Sequence, residues 1–309
     1  MSEVDLSVTI GRLKLRNPVL TASGTCGYGE ELAPYCPLDE LGAVIPKSVT
    51  VNARDGNKPP RLWETPSGLL NSIGLQNEGL EHFVSHTIPK LAGIGTPVIA
   101  NIAGFTVDEF VRMAARLSEF PEISGLEVNI SCPNVKVGGM AFGASPLLAA
   151  EVTKAVRRAT GLTIILKLSP NVTDITEIAR AVEAEGADAV SAVNTFLGMA
   201  VDAEKRIPKL GNVTGGLSGP AIKPIALRMV WQIHSAVKIP VIGLGGICNG
   251  TDAIEFILCG ASAVEVGTGA LVEPSAPLKV VEGIREYCVR QGVSSVAELI
   301  GGLRVKSGN

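Results

Sequence analysis

Short, uninterrupted apolar runs recur along the chain, each rich in valine and isoleucine and each ending in small or polar residues. In order they are PVLTASG from Pro18, AVIPKS from Ala43, PVIANI from Pro97, GLEVNIS from Gly125, LTIILKLS from Leu162, ADAVSAVNT from Ala187, PVIGLGG from Pro240 and SAVEVGTG from Ser262. A strand with one wet face alternates apolar and polar residues. Runs without alternation therefore predict strands covered on both faces, as in a parallel sheet layered with helices. The stretches between them carry the helical period: Leu80, Phe83, Val84, Ile88 and Leu91, and again Ile175, Ile178, Ala179 and Val182, stand three and four residues apart. Ahead of the first run, Leu6, Val8 and Ile10 alternate, then comes Gly11-Arg12, then Leu13 and Leu15, which predicts a short hairpin.

Eight buried strands, mostly alternating with helices, predict an α/β fold of the (β/α)8 TIM-barrel type. An open doubly wound sheet, the alternative, usually has fewer strands. A chain of 309 residues suits one such barrel, read as a single domain over 1–309. Two stretches, 49–72 and 196–219, exceed an ordinary βα loop and are predicted to form hairpin insertions over the C-terminal face of the barrel.

Composition narrows the function. With 46% hydrophobic and 18% charged residues the chain can bury a large core, which excludes a disordered polypeptide. Its 27 basic and 30 acidic residues leave a net charge of -3 and form no block that would steer it to nucleic acid or a membrane surface. Small-molecule chemistry remains. Six cysteines, at 26, 36, 132, 248, 259 and 288, include no CxxC pair, so neither zinc nor an iron-sulfur cluster is expected in this chain. That usage, with no leader-like start and with Asp188 and Asn194 breaking the apolar windows, suits a cytoplasmic protein. His82 and His86 lie four apart on a predicted helix but have no evident third ligand, so a surface position is expected rather than a metal.

A barrel presents its chemistry at the C-terminal ends of its strands. Here those ends supply Ser23, Lys47, Ser48, Asn101, Asn129, Ser131, Cys132, Lys167, Ser169, Asn194 and Thr195. The last two runs end in GLGGI (243–247) and GTGAL (267–271), where barrels commonly bind phosphate and glycine lets the backbone approach the anion. Lys47 and Lys167 follow buried runs, and an unpaired buried ammonium is costly. Each either faces an electron-accepting ring or an anionic substrate, or pairs with an interior carboxylate. Cys132 opens a loop with glycines at 138, 139 and 143 and can serve as nucleophile or base. No histidine stands near it in sequence, which weighs against a Cys-His hydrolase. Cys248, Cys259 and Cys288 are expected to be small buried hydrophobes.

Five segments, together with the two glycine runs, resemble one family in the same order along nearly the whole chain. They are NSIGLQNEG (71–79), NISCPNVKVGGMAFG (129–143), LKLSPNVTDI (166–175), VNTFLGMAVD (193–202) and GGLSGPAIKP (215–224), with the cysteine segment the most specific. The family is class 1 dihydroorotate dehydrogenase. The resemblance implies oxidation of dihydroorotate to orotate in pyrimidine (UMP) biosynthesis, with FMN as cofactor. It implies FMN contacts from Ser23, Lys47, Ser48, Asn101, Asn129, Lys167, Val193, Gly219, Gly245, Gly246, Gly267 and Thr268. It implies substrate contacts from Lys47, from Asn71, Ser72, Ile73, Gly74 and Leu75, and from Asn129, Asn194 and Thr195. Asparagine suits a pyrimidine, whose ring offers both amide donors and carbonyl acceptors.

By the same resemblance Cys132 is the base that removes a proton from C5 while hydride leaves C6, and Lys167 stabilises charge on the reduced flavin. Membrane-bound class 2 members have serine at the base position and an N-terminal extension, whereas this chain has Cys132 and starts directly into its hairpin. The continuation VKVGGMAFG resembles the B-type catalytic subunit, which passes electrons to a partner carrying FAD and a 2Fe-2S cluster and then to NAD, in a heterotetramer of two catalytic and two electron-transfer subunits. The fumarate-using A-type, a related dihydropyrimidine dehydrogenase, a non-redox barrel lyase or isomerase and a silent binding subunit are the alternatives. Flavin absorbance and the acceptor that restores it discriminate among them.

Overall fold

The computed structural model describes residues 4–131 and 142–305. The apolar runs become the staves of the barrel, seven as strands and one as an extended bridging segment. Seven form one parallel sheet in the order Val19–Thr21, Ala261–Val266, Val241–Leu244, Ala189–Ala192, Thr163–Lys167, Ile123–Asn129 and Val98–Ile102. The segment 43–45 completes the ring through parallel bridges, Ala43 to Leu20 on one side and Val44 to Val98 on the other. Two hydrogen bonds fix it there: Val44 N donates to Pro97 O and Ile99 N to Val44 O, both at 2.9 Å. The strands are apolar throughout because the barrel interior lies on one face and the helices on the other. All five residues of Thr163–Lys167 and of Val98–Ile102 are buried.

Helices return the chain between strands. Val107–Leu117 is typical: Thr106 and Glu109 form a capping box at its start, and Phe110, Met113, Ala114 and Leu117 bury one face. Burying each of the larger side chains contributes about 1.5–3 kcal/mol. The run 80–91 is helical as the spacing predicts, but its middle turn, Phe83–Thr87, is a π-helix. Pro89 lies just beyond and has no N–H for the regular ladder, which the wider turn accommodates. The first strand is the exception among the connections. It leads only to a 3-10 turn, Leu38–Glu40, because Gly24, Gly27, Gly29, Pro34 and Pro37 lie in the interval and disfavour a regular helix.

The hairpin Val8–Ile10 with Leu13–Leu15 forms as expected, Ile10 opposite Leu13. The two insertions also form, and they pair with each other. Phe196–Met199, Thr214–Ser218, Gly68–Asn71 and Leu62–Thr65 make one four-stranded antiparallel sheet. Gly216 stands opposite Asn71 and Leu217 opposite Leu70, so strands some 145 residues apart are in register. Among the described residues no helix is long and apolar enough to cross a membrane.

Candidate active site

A cavity of about 450 Å³ lies between the C-terminal ends of the barrel strands and the insertion sheet. One face of that sheet roofs it: Leu62, Leu69, Asn71, Leu197, Gly216 and Ser218 all line the cavity. Gly216 is required for the roof to sit this low, because a Cβ there would lie 2.0 Å from Thr195 Oγ1. Every position expected to contact FMN or substrate lines this one cavity except two. Asn101 is buried beneath it and does not line it, and Cys132 lies outside the described residues.

The two lysines differ. Lys167 is 4% exposed, and its Nζ lies 3.2 Å from both carboxylate oxygens of Glu127 and 2.8 Å from Glu265 Oε2. It pairs with interior carboxylates, the second of the two expectations, and it also lines the cavity. Burial works against its charge, but Glu127 and Glu265 outweigh burial and push it up to about 12. Lys47 is half-buried and has no carboxylate within ion-pair distance among the described residues. Burial draws its ammonium below the usual 10.5, with the charge of Glu31 opposing.

Reading strand ends passed over Glu127 and Glu265. Both sit inside apolar runs, GLEVNIS and SAVEVGTG, and are almost wholly buried. The signal was present as a lone carboxylate in a strand otherwise free of charge. Glu127 also accepts from Ser191 Oγ at 2.7 Å and from Asn101 Nδ2 at 2.5 Å. Burial raises its carboxyl, yet Lys167 and these donors prevail and hold it below its ordinary value. Burial, and then the charge of Glu127, push Glu265 well above its ordinary value.

The asparagines are fixed in a chain of hydrogen bonds. Ser131 N and Oγ both donate to Asn129 Oδ1, at 3.2 and 2.7 Å, which leaves the amide hydrogens of Asn129 for a ligand. Thr195 N donates to Asn194 Oδ1 at 2.7 Å. Asn71 Nδ2 donates to Gly216 O at 3.3 Å, which leaves its carbonyl oxygen as an acceptor.

At the opposite wall, Gly245 and Gly246 have φ of +130° and +82°. A Cβ on Gly246 would lie 2.8 Å from the Gly219 carbonyl and from Lys223 Cβ, so this loop packs against the Gly219 turn only without a side chain. Thr268 Oγ1 donates to Ser218 Oγ at 2.8 Å, joining the last strand end to the roof. Away from the cavity, His82 and His86 are exposed and stacked 4.2 Å apart, and no metal-binding group of three acidic, histidine or cysteine residues exists among the described residues.

Fold and site define a (β/α)8-barrel enzyme whose roofed cavity joins paired glycine loops to lysines and amides at the strand ends. The family model described as dihydroorotate dehydrogenase matches residues 5–287, and the chain belongs to that family. A protein of Parabacteroides distasonis is 56% identical over 302 residues, 98% of this chain and 99% of its own. One of Trichlorobacter lovleyi is 56% identical over 298 residues, 96% and 98% of the two chains. One of Geotalea daltonii is 53% identical over 305 residues, 99% of this chain and all of its own. All three carry the name "Dihydroorotate dehydrogenase B (NAD(+)), catalytic subunit".

Proposed function

We propose that this chain, as one barrel domain, oxidises dihydroorotate to orotate with FMN in the roofed cavity. The electrons then go to NAD through a partner subunit carrying FAD and a 2Fe-2S cluster, in a two-plus-two heterotetramer in the cytoplasm. The observation that carries the reading is the convergence of Lys47, Lys167, Asn129, Asn194 and the glycine ends at 245, 246 and 267 on one cavity. The near full-length relatives named as NAD-linked catalytic subunits support the acceptor and the existence of a partner.

The residues present suit FMN. A cavity of about 450 Å³ is within the range of cofactor sites. Its base includes Glu265, whose Oε1 is buried without a protein partner among the described residues, as is Asn101 Oδ1 beneath. Gly219, Gly245, Gly246, Gly267 and Thr268 would hold the phosphate, where glycine lets backbone N–H groups approach it. Ser23, Ser48, Asn129, Lys167 and Val193 would serve the rest of the cofactor, with Asn101 bracing Glu127 from beneath. Bound FMN supplies a two-electron hydride acceptor.

This chain's own groups do the remainder. Asn71, Asn129 and Asn194, with Ser72, Ile73, Gly74, Leu75 and Thr195, orient the pyrimidine by matching its amide and carbonyl groups. Lys47, a cation without a carboxylate partner among the described residues, meets the anionic substrate. Cys132 takes the C5 proton as hydride leaves C6, and the roof excludes water.

Anaerobic spectra of the purified protein with FMN test the reading. Dihydroorotate bleaches the flavin band, and neither NAD nor fumarate alone restores it without a partner. Restoration by fumarate favours the A-type reaction instead. No flavin uptake at all defeats the dehydrogenase reading.

A further inference from the structure

Beneath the cavity, two carboxyl groups share one ammonium. Glu127, Lys167 and Glu265 are 0%, 4% and 1% exposed, and Lys167 Nζ touches both acids. Lys167 and Glu265 line the cavity, while Glu127 does not. Two ionised carboxyls beside one ammonium would leave a net negative charge out of water, so one of the pair holds a proton.

The hydrogen bonds say which. Glu127 accepts from Lys167, Ser191 and Asn101. Glu265 accepts from Lys167 alone, and its Oε1 has no partner among the described residues. A carboxyl held by three donors favours ionisation, and one with a bare oxygen in an apolar wall favours the neutral acid. The strands flanking Glu265, Val241–Leu244 and Val19–Thr21, bring no charged side chain. The other titratable group that senses it is the buried Cys26 thiol, which donates to Ile45 O at 3.0 Å.

We propose that Glu265 is an uncharged positioning residue and that Glu127 alone is the counter-ion of Lys167, so that the cavity base presents an ammonium whose charge is balanced from below. The proposal rests on the FMN reading above. An unbalanced ammonium would stabilise the reduced cofactor and make it a stronger oxidant. An ionised Glu265 would do the reverse. The balanced arrangement gives Lys167 hydrogen-bond donors at little net field, which keeps the potential low enough for electrons to continue toward NAD.

FMN uptake is measured first, and its failure counts against the cofactor reading alone. The protonation of Glu265 is decided by infrared spectra of the wild-type protein at neutral pH, with and without 13C-glutamate. An isotope-shifted band from an un-ionised carboxyl, lost in Glu265→Gln, is expected, and its absence from the wild type overturns the proposal. Anaerobic redox titration of FMN-loaded protein then reads the field. Glu127→Gln shifts the equilibrium toward reduced FMN by about tenfold, or about 30 mV for a two-electron couple, while Glu265→Gln leaves it near wild type. No shift in Glu127→Gln, or an equal shift in Glu265→Gln, overturns the proposal.

Discussion

Asn194 donates from Nδ2 to Ser131 Oγ at 2.5 Å, tying the end of the Ala189–Ala192 strand to the residue immediately before Cys132. Ser131 passes the constraint on to Asn129, so one chain of hydrogen bonds spans two strand ends. Asn194→Ala leaves Ser131 short of a donor in a buried site, at a cost of about 1–3 kcal/mol. The expected loss in kcat/KM is roughly ten- to a hundredfold with FMN content retained. Steady-state kinetics beside cofactor absorbance checks this, and an unchanged kcat/KM contradicts it.

Cys132→Ala is expected to keep FMN and lose about two to four orders of magnitude in turnover, the usual loss on removing a general base. Rapid-mixing flavin reduction by dihydroorotate measures it without a partner subunit. Cys132→Ser is also expected to be impaired, since a hydroxyl is a poorer base than a thiol. Near-normal reduction in the alanine variant removes Cys132 from the role.

Gly246→Ala introduces a Cβ 2.8 Å from the Gly219 carbonyl at a φ of +82°. Backbone cannot yield as a side chain can, so the two loops part. Because both loops line the proposed phosphate site, FMN binding should weaken by tenfold or more, about 1.4 kcal/mol. Fluorescence titration of the cofactor-free protein reads the change. Unaltered affinity would place the phosphate elsewhere.

The barrel was legible because burial on both faces forces uninterrupted apolar runs, seven of which became strands while the eighth, 43–45, became an extended segment bridging the ring. The strand ends were legible for the same reason, since polarity returns where the sandwich of interior and helices stops. Glu127 and Glu265 were not, because they interrupt runs rather than end them, and their partner Lys167 comes from another strand. Nor was the pairing of Gly216 with Asn71, which depends on tertiary proximity and leaves no local periodicity. Asn101 stands at a strand end yet supports Glu127 from below the cavity, because a strand end can turn either inward or toward a ligand.

Thiol chemistry separates the five described cysteines. Burial pushes Cys26 up to about 12 and Cys36 up to about 11. Cys248 and Cys259 are only partly buried, contrary to the expectation of enclosed hydrophobes, because each sits where a turn meets the surface of a barrel helix. Since the thiolate is the nucleophile, alkylation at pH 8 should modify Cys248 and Cys259 well before Cys26, Cys36 or Cys288. Peptide mapping by mass spectrometry over time follows the order, and early modification of Cys26 contradicts the packing.

Glu265 gives the protein a pH dependence whose sign follows from its surroundings. Burial and Glu127 raise its carboxyl above the ordinary 4.5, so between 4.5 and the raised value the folded state holds a proton that the unfolded state has released. Stability therefore falls as pH rises through that window, by at most about 1.4 kcal/mol per pH unit for one proton. Glu265→Gln retains the shape and cannot ionise, so that loss disappears. Below pH 4.5 the two proteins differ little through this group, and above it the variant gains on the wild type until the raised value is passed. The stabilising contribution of Glu127, whose carboxyl is held low and which loses its effect as pH falls, is common to both and cancels in the difference. Urea denaturation of the two proteins from pH 4 to 8 measures the gap. A gap that does not widen with pH would mean that Glu265 ionises in the folded protein as readily as in the unfolded chain.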